Sequence, residues 1–327
     1  MDSETRPAAL DRFRRWGAGA LAAGVLGWLA YALFRGFTET AGELQGFAWG
    51  WYVPILLLTL VNYGLRYLKW HYLLGQLGIH IAHRDNMWIF GIGLAMVISP
   101  AKAGEVVKPY LVREITGASM SRTIPALVAE RATDGIAVVA LAAVGVTTYY
   151  AEATNLILTV IAVIALGIVA VAIEPVATAG IRLIGAVPVI GRIAPRLHEA
   201  YGALRVCLAP IPLFVTVALS IVAWFAECVG YWLVFMGMQV SASLGVCTFL
   251  YAFATVFGAP SPGGMGMADL ALAEGAINLI DGVSPGQALA ATLLIRVATL
   301  WFGVLIGALA LLKVDGLIAR TRTHDVG

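Results

Sequence analysis

"VISPAKAGEVVK", residues 97–108, decides how this chain is read. It follows an apolar run, yet it holds Ser99, Pro100, Gly104 and the charges of Lys102, Glu105 and Lys108. Pro100 removes a backbone donor and breaks a helix, and Gly104 loosens the next turn. The surroundings make those charges costly. The 327-residue chain is 60% hydrophobic and 12% charged, where a soluble domain carries about 25% charged residues. A chain this apolar cannot dress a water-facing surface, so it reads as an integral membrane protein.

Other classes find no support. The net charge of +2 carries no nucleic-acid signature. Cys207, Cys228 and Cys247 and the five histidines lack metal-ligand spacing, so neither a metal nor a cofactor is expected. No P-loop, nucleophile elbow or catalytic dyad stands out, so an enzyme is not expected either.

A helix needs about 20 apolar residues to cross a bilayer. Six runs qualify, over residues 16–36, 47–68, 124–149, 154–174, 209–237 and 286–312. The first is read as a retained span rather than a cleaved leader. Two further segments are broken. Residues 86–112 contain Pro100 and Gly104, and residues 244–281 contain Pro260, Pro262, Gly263, Gly264 and Gly266. Lysine and arginine placement sets orientation. Arg6, Arg12, Arg14 and Arg15 put the N-terminus in the cytoplasm, Arg66, Lys69 and Arg84 mark a return there, and Lys313, Arg320 and Arg322 put the C-terminus there. The count closes if each broken segment enters and leaves on one side, as a re-entrant helical hairpin. Pairs of short true spans are the open alternative. The basic stretch 175–206 is either an amphipathic surface segment on the cytoplasmic face or a plain loop.

The two broken segments match. "SPAKAG" and "SPGGMG" share Ser-Pro-x-x-x-Gly at an offset of 262 − 100 = 162, and the same offset sets Trp70 on Trp232 and Gly75 on Gly237. The expected architecture is an all-α polytopic membrane protein with about six spans and two re-entrant hairpins. It forms a single domain over 1–327, with halves 1–150 and 151–327 related as an inverted-topology repeat. In secondary transporters such paired breaks flank a midplane substrate site.

The intramembrane charges need partners or water, since each one facing lipid costs roughly 2.5–3.5 kcal/mol. Glu130 and Asp134 share a helix face beside Arg131. Glu227 and Asp269 complete the acidic set, and Arg296 lies in the last span. One reading makes these pairs structural, with Glu130, Asp134 and Glu227 partnering Arg131 and Arg296, and lets Lys108 snorkel to the cytoplasm. The other gathers Lys102, Glu105, Lys108, Arg131 and Arg296 with the Gly263, Gly264 and Gly266 backbone into a polar cavity between the two hairpins, a site for an anionic or zwitterionic head group, because guanidinium suits phosphate.

The stretches "SPAKAGEVVKPYLVRE", "ALVAERATDG", "SPGGMGMAD" and "LLIRVATLWFG" resemble the lysylphosphatidylglycerol synthase transmembrane region family, also called flippase-like. The resemblance covers nearly the whole chain. It sets the family's Pro-x-x-x-Gly-Glu on Pro100, Gly104 and Glu105, its Glu-Arg and Asp on Glu130, Arg131 and Asp134, its Pro-Gly-Gly on Pro262, Gly263 and Gly264, and its late Arg on Arg296. Asp269 stands where the family often has Glu. These residues hold no stretch read as the family's synthetase domain, so aminoacylation of lipid is not expected of them. The resemblance therefore implies a lipid flippase in the cytoplasmic membrane, with a membrane lipid as substrate, the bilayer as surroundings and no nucleic-acid partner. A small-solute or ion transporter, and a non-transporting accessory subunit, are the alternatives. The lipid, the driving force and assembly into a homo-oligomer stay open.

Overall fold

A computed structural model describes residues 37–99, 104–149 and 194–313, with isolated positions between 158 and 178. The expected spans 16–36 and 154–174, the residues Pro100 and Lys102, and both charged termini lie outside the continuously described residues. The described residues are all-helical. In chain order they form α1 (Phe37–Gly46), α2 (Tyr52–Gln76), α3 (His83–Ala95), α4 (Val107–Thr116), α5 (Met120–Tyr149) and α6 (Ala194–Cys207). There follow α7 (Pro210–Gly237), α8 (Leu244–Phe257), α9 (Met267–Leu279), α10 (Pro285–Arg296) and α11 (Phe302–Leu311). A π-helical turn, Val297–Trp301, joins α10 to α11.

The six expected spans are met only in part. Among the described residues two helices are long and apolar enough to cross a bilayer, α7 and the continuous Pro285–Leu311. At 25 and 30 residues, α2 and α5 have the length, at about 1.5 Å per residue, but both carry charges along their bodies. Those charges are not scattered. In α2 the positions Ile55, Thr59, Asn62, Arg66, Lys69 and Leu73 recur at steps of four and three, and all are buried. In α7 the buried positions are Thr216, Ser220, Ala223, Glu227, Tyr231 and Val234. The opposite faces show Val53, Leu57, Leu60 and Leu68 of α2, and Ile211, Phe214, Val222 and Phe225 of α7. Polar groups inward and large apolar groups outward is the arrangement an apolar solvent selects.

Local hydrogen bonds repeat along the chain. After α2, Ile79 N–H donates to Leu74 O (3.0 Å) and Gly78 N–H to Gly75 O (2.9 Å). After α7, Val240 N–H donates to Phe235 O (3.0 Å) and Gln239 N–H to Met236 O (3.1 Å). Each pair is displaced by 161 positions, and both helices end in a Schellman motif. Gly78 and Gln239 hold the left-handed position, with φ of 65° and 59°. Farther on, Ser99 Oγ donates to Met96 O (2.7 Å) and Ser261 Oγ to Gly258 O (3.0 Å), displaced by 261 − 99 = 162. The indole N–H groups of Trp70 and Trp232 both donate, to Asn86 Oδ1 and to Ala242 O, each at 2.9 Å.

By its contacts the chain divides into two compact units, each drawing on both halves of the sequence. The first comprises residues 1–59, 91–107 and 227–312. In it the turn Met96–Ile98 packs on Pro262–Gly264, and Ile98, Leu300 and Val304 form a buried cluster flanked by Val97, Met265 and Trp301. Gly307 lies so close to Gly91 O and Ala95 N that a Cβ on it would clash with both backbone atoms. Small residues allow this approach of α3 to α11. The second unit comprises residues 60–90, 108–226 and 313–327. In it α6 packs along α5, and Ser119 and Ser121 at the start of α5 both donate to the Glu199 carboxylate.

Candidate functional site: two buried ionic clusters

The second unit gathers Arg66 and Lys69 from α2, Lys108 from α4, Glu130, Arg131 and Asp134 from α5, and Ser220 and Trp224 from α7. Lys69 is fully buried. Its ammonium has three donors, and each is met: Asp134 Oδ1 at 2.5 Å, Ser220 Oγ at 2.7 Å and Glu130 O at 3.2 Å. Asp134 Oδ1 also accepts from Ser220 Oγ and from the Trp224 indole N–H, both at 3.1 Å. Glu130, also fully buried, accepts from Lys108 Nζ on Oε2 at 2.5 Å and from Arg131 on Oε1. The Lys108 ammonium lies 4.3 Å above the Trp70 ring and 5.4 Å from that of Phe90, a cation–π seat. Buried ions survive only when paired and hydrogen-bonded like this, and breaking one such pair typically costs about 3–5 kcal/mol.

One part of the cluster is built differently. Asp134 Oδ2 accepts no hydrogen bond and faces two guanidinium groups, Arg131 Nη2 at 3.5 Å and Arg66 Nε at 3.9 Å. Among the described residues of this unit, four cationic side chains therefore surround two carboxylates.

The first unit holds Glu227, Asp269, Arg296 and the Ser-Pro-Gly-Gly loop. Arg296, the last residue of α10, donates to Gly263 O at 2.6 Å, and its Nε lies 2.7 Å from Asp269 Oδ1. The other Asp269 oxygen accepts from Gly266 N–H at 2.9 Å. Gly263, Gly264 and Gly266 all have positive φ, 59°, 76° and 79°, which L side chains rarely adopt. Arginine and carboxylate thus strap a glycine-shaped loop. The π turn begins right after the strap, at Val297. Glu227 accepts from Tyr251 Oη at 2.8 Å.

These positions sort the sequence-based expectations. Lys108, Glu130, Arg131 and Asp134 come together in the second unit. Arg296, Asp269, Gly263, Gly264 and Gly266, following Pro262, come together in the first. There Glu105 is buried, and Gly104 N–H donates to Ser99 Oγ at 2.7 Å. Lys102 and Pro100 are outside the described residues. The described contact between the two Ser-Pro loops is apolar, and the polar clusters lie within each unit.

Three readings change. Arg66 and Lys69 do not mark a cytoplasmic helix end; both are buried mid-helix, so they are lost to the orientation count. Lys108 does not snorkel, because Glu130 and Trp70 hold it at 2% exposure. The histidines are not all scattered: the His71 and His83 rings lie 4.2 Å apart, and Asn86 links His71 to Trp70.

Sequence reasoning missed Arg66, Lys69, Ser220 and Trp224. The signal was present for three of them, as polar residues recurring at helical spacing in otherwise apolar runs. Apart from the clusters, α6 borders an open groove of about 540 Å³, lined by Glu174, His198, Tyr201 and Arg205, with Arg205 paired to Glu174 at 2.7 Å.

With the geometry described, comparison places the chain. The family described as "lysylphosphatidylglycerol synthase TM region" matches residues 15–307. The chain is also similar to a UPF0104 membrane protein of Methanothermobacter thermautotrophicus, at 23% identity over 321 residues, covering 90% of this chain and 94% of the relative.

Proposed function

Because the chain belongs to the lysylphosphatidylglycerol synthase TM region family, we propose that it is a multi-pass lipid flippase, not an enzyme, that carries an anionic or zwitterionic head group between leaflets. The observation that carries this reading is the second unit's buried cluster, where Arg66, Lys69, Lys108 and Arg131 converge on Glu130 and Asp134 inside a body with apolar outer faces. Charges that costly persist at membrane depth where they serve a polar pathway. Acyl chains remain in lipid while the head group passes by the buried polar cluster of the second unit.

The broken segments are re-entrant hairpins in this proposal, and the halves an inverted-topology repeat. The hydrogen bonds recurring at offsets of 161 and 162 support the repeat. Rocking of the halves supplies alternate access. The inner membrane with both termini cytoplasmic remains our reading from the terminal arginines and lysines.

The Arg296–Asp269–Gly263 strap favours a second reading for the first unit alone. Its charges are spent on holding a loop, as a scaffold or accessory subunit requires. A proteoliposome assay separates the two. The intact chain accelerates loss of outer-leaflet fluorescent phosphatidylglycerol to dithionite, and Asp134→Asn and Lys69→Met abolish the acceleration. No acceleration by the folded wild-type chain, for this lipid or for lysylphosphatidylglycerol, refutes translocation.

A further inference from the structure

Arg66 is the odd member of its cluster. It is 8% exposed, yet among the described residues it donates no hydrogen bond. Its protein contacts are the 3.9 Å approach of Nε to Asp134 Oδ2 and the Trp224 ring 5.7 Å from its guanidinium carbon. Lys69, one helical turn on, spends every donor; among the described residues none accepts from the buried Arg66 Nε or from the outer guanidinium nitrogens. A buried N–H without an acceptor is costly, and native structures rarely keep one without a reason.

The surroundings orient it. The indole face restrains a planar guanidinium, and the indole N–H is fixed on Asp134 Oδ1 at 3.1 Å. Nε is directed to the acidic side, which leaves the outer nitrogens for an acceptor. Arg131 Nη2, 3.5 Å from the same Asp134 oxygen, brings a second guanidinium close. A planar fork with unused donors, beside a second cation and a lysine, matches a tetrahedral oxyanion, which accepts two parallel N–H bonds.

We infer that Arg66, held over the Trp224 ring, is the phosphate-binding arm of this unit. It takes the phosphate of a phospholipid head group, while Lys69, Lys108, Glu130 and Asp134 are the fixed frame that holds it. This rests on the lipid-carrying reading for the source of the phosphate; the chemistry recognised is the phosphate itself. It makes Arg66, rather than Lys108 or Arg296, the residue whose loss removes head-group affinity.

The test is binding to the full-length chain in detergent, with three probes: dihexanoyl phosphatidylglycerol, dihexanoylglycerol lacking the phosphate, and inorganic phosphate. Wild type binds the phosphatidylglycerol at least tenfold more tightly than the glycerol. Arg66→Gln loses at least tenfold for the first and nothing for the second. Arg66→Lys recovers part of the loss, since a point charge lacks the fork. Binding of inorganic phosphate that competes with the lipid and is lost in Arg66→Gln identifies the phosphate as the recognised group.

Unchanged phosphatidylglycerol affinity in folded Arg66→Gln overturns the assignment. So does equal wild-type affinity for the two lipids, a comparison that needs no variant. The leaflet assay separates this from the wider reading. Arg66-dependent binding without translocation removes the flippase and keeps the arm. Translocation and binding both indifferent to Arg66→Gln keep the flippase and remove the arm.

Discussion

Replacing Glu130 by Gln keeps the shape of the side chain and removes its charge. In the structure Glu130 is wholly buried and receives Lys108 Nζ at 2.5 Å on one oxygen and Arg131 on the other. The amide keeps one acceptor and presents its own N–H₂ to the other cation, so one bond is kept and the other is replaced by a repulsive contact. Lys108 is itself 2% exposed. Losing one partner of a buried pair costs about 3–5 kcal/mol. A stability of order 5–15 kcal/mol would be cut by about a fifth or more. A double-mutant cycle isolates the pair. Lys108→Met keeps apolar packing on Trp70 and removes the stranded charge, so Glu130→Gln should cost about 2 kcal/mol less in that background. The assay is reversible unfolding in mixed micelles, followed by tryptophan fluorescence. If Glu130→Gln lies within about 0.5 kcal/mol of wild type, or the cycle is additive, Glu130 is not the anchor described here.

Other outcomes follow from the same geometry. Gly307→Ala would set a Cβ against Gly91 O and Ala95 N and should cost about 1–3 kcal/mol, whereas Gly64→Ala, with open space around it in α2, should be neutral or stabilising by up to about 1 kcal/mol; thermal unfolding of the two variants decides. Asn86→Leu strands the Trp70 indole N–H (2.9 Å) and the His71 Nδ1 (2.9 Å) and should lower stability by about 1–3 kcal/mol, read in the same unfolding assay. The Glu199 carboxyl is held below the usual carboxylate range by the Ser121 and Ser119 hydroxyls. Its depressed pKa favours the folded state above the unfolded-state pKa, and that contribution disappears as pH falls through the folded pKa. Carboxyl NMR of selectively labelled protein should show Glu199 titrating below its value in Ser119→Ala/Ser121→Ala.

Much of the architecture was legible because it follows from solvent and breakers. Composition gave the membrane, and the breakers marked the interruptions seen at Ser99 and at 261–266. Pairing was legible only where it was local. Glu130, Arg131 and Asp134 announce themselves at adjacent and four-apart positions, but the partners of Lys69 lie 65 and 151 residues away, a distance that periodicity does not see. Arg66 and Lys69 were misread for a physical reason. A basic pair near the end of an apolar run usually marks the cytoplasmic boundary, and that rule outweighed the buried spacing of Thr59, Asn62, Arg66 and Lys69. The α7 cap was hidden because Gln239, not glycine, occupies its left-handed position. Arg296 was open to two readings, a head-group contact or half of an internal pair; it lies against Asp269 and Gly263, across a loop of three positive-φ glycines.

The most direct test of the central claim is the position of a head group. A structure of the full chain in nanodiscs rich in phosphatidylglycerol should show phosphate density within about 3 Å of the Arg66 guanidinium, beside Trp224, with the acyl chains running out along the apolar face of α2 or α7. Phosphates confined to an annular shell, with Arg66 still without an acceptor, would contradict it.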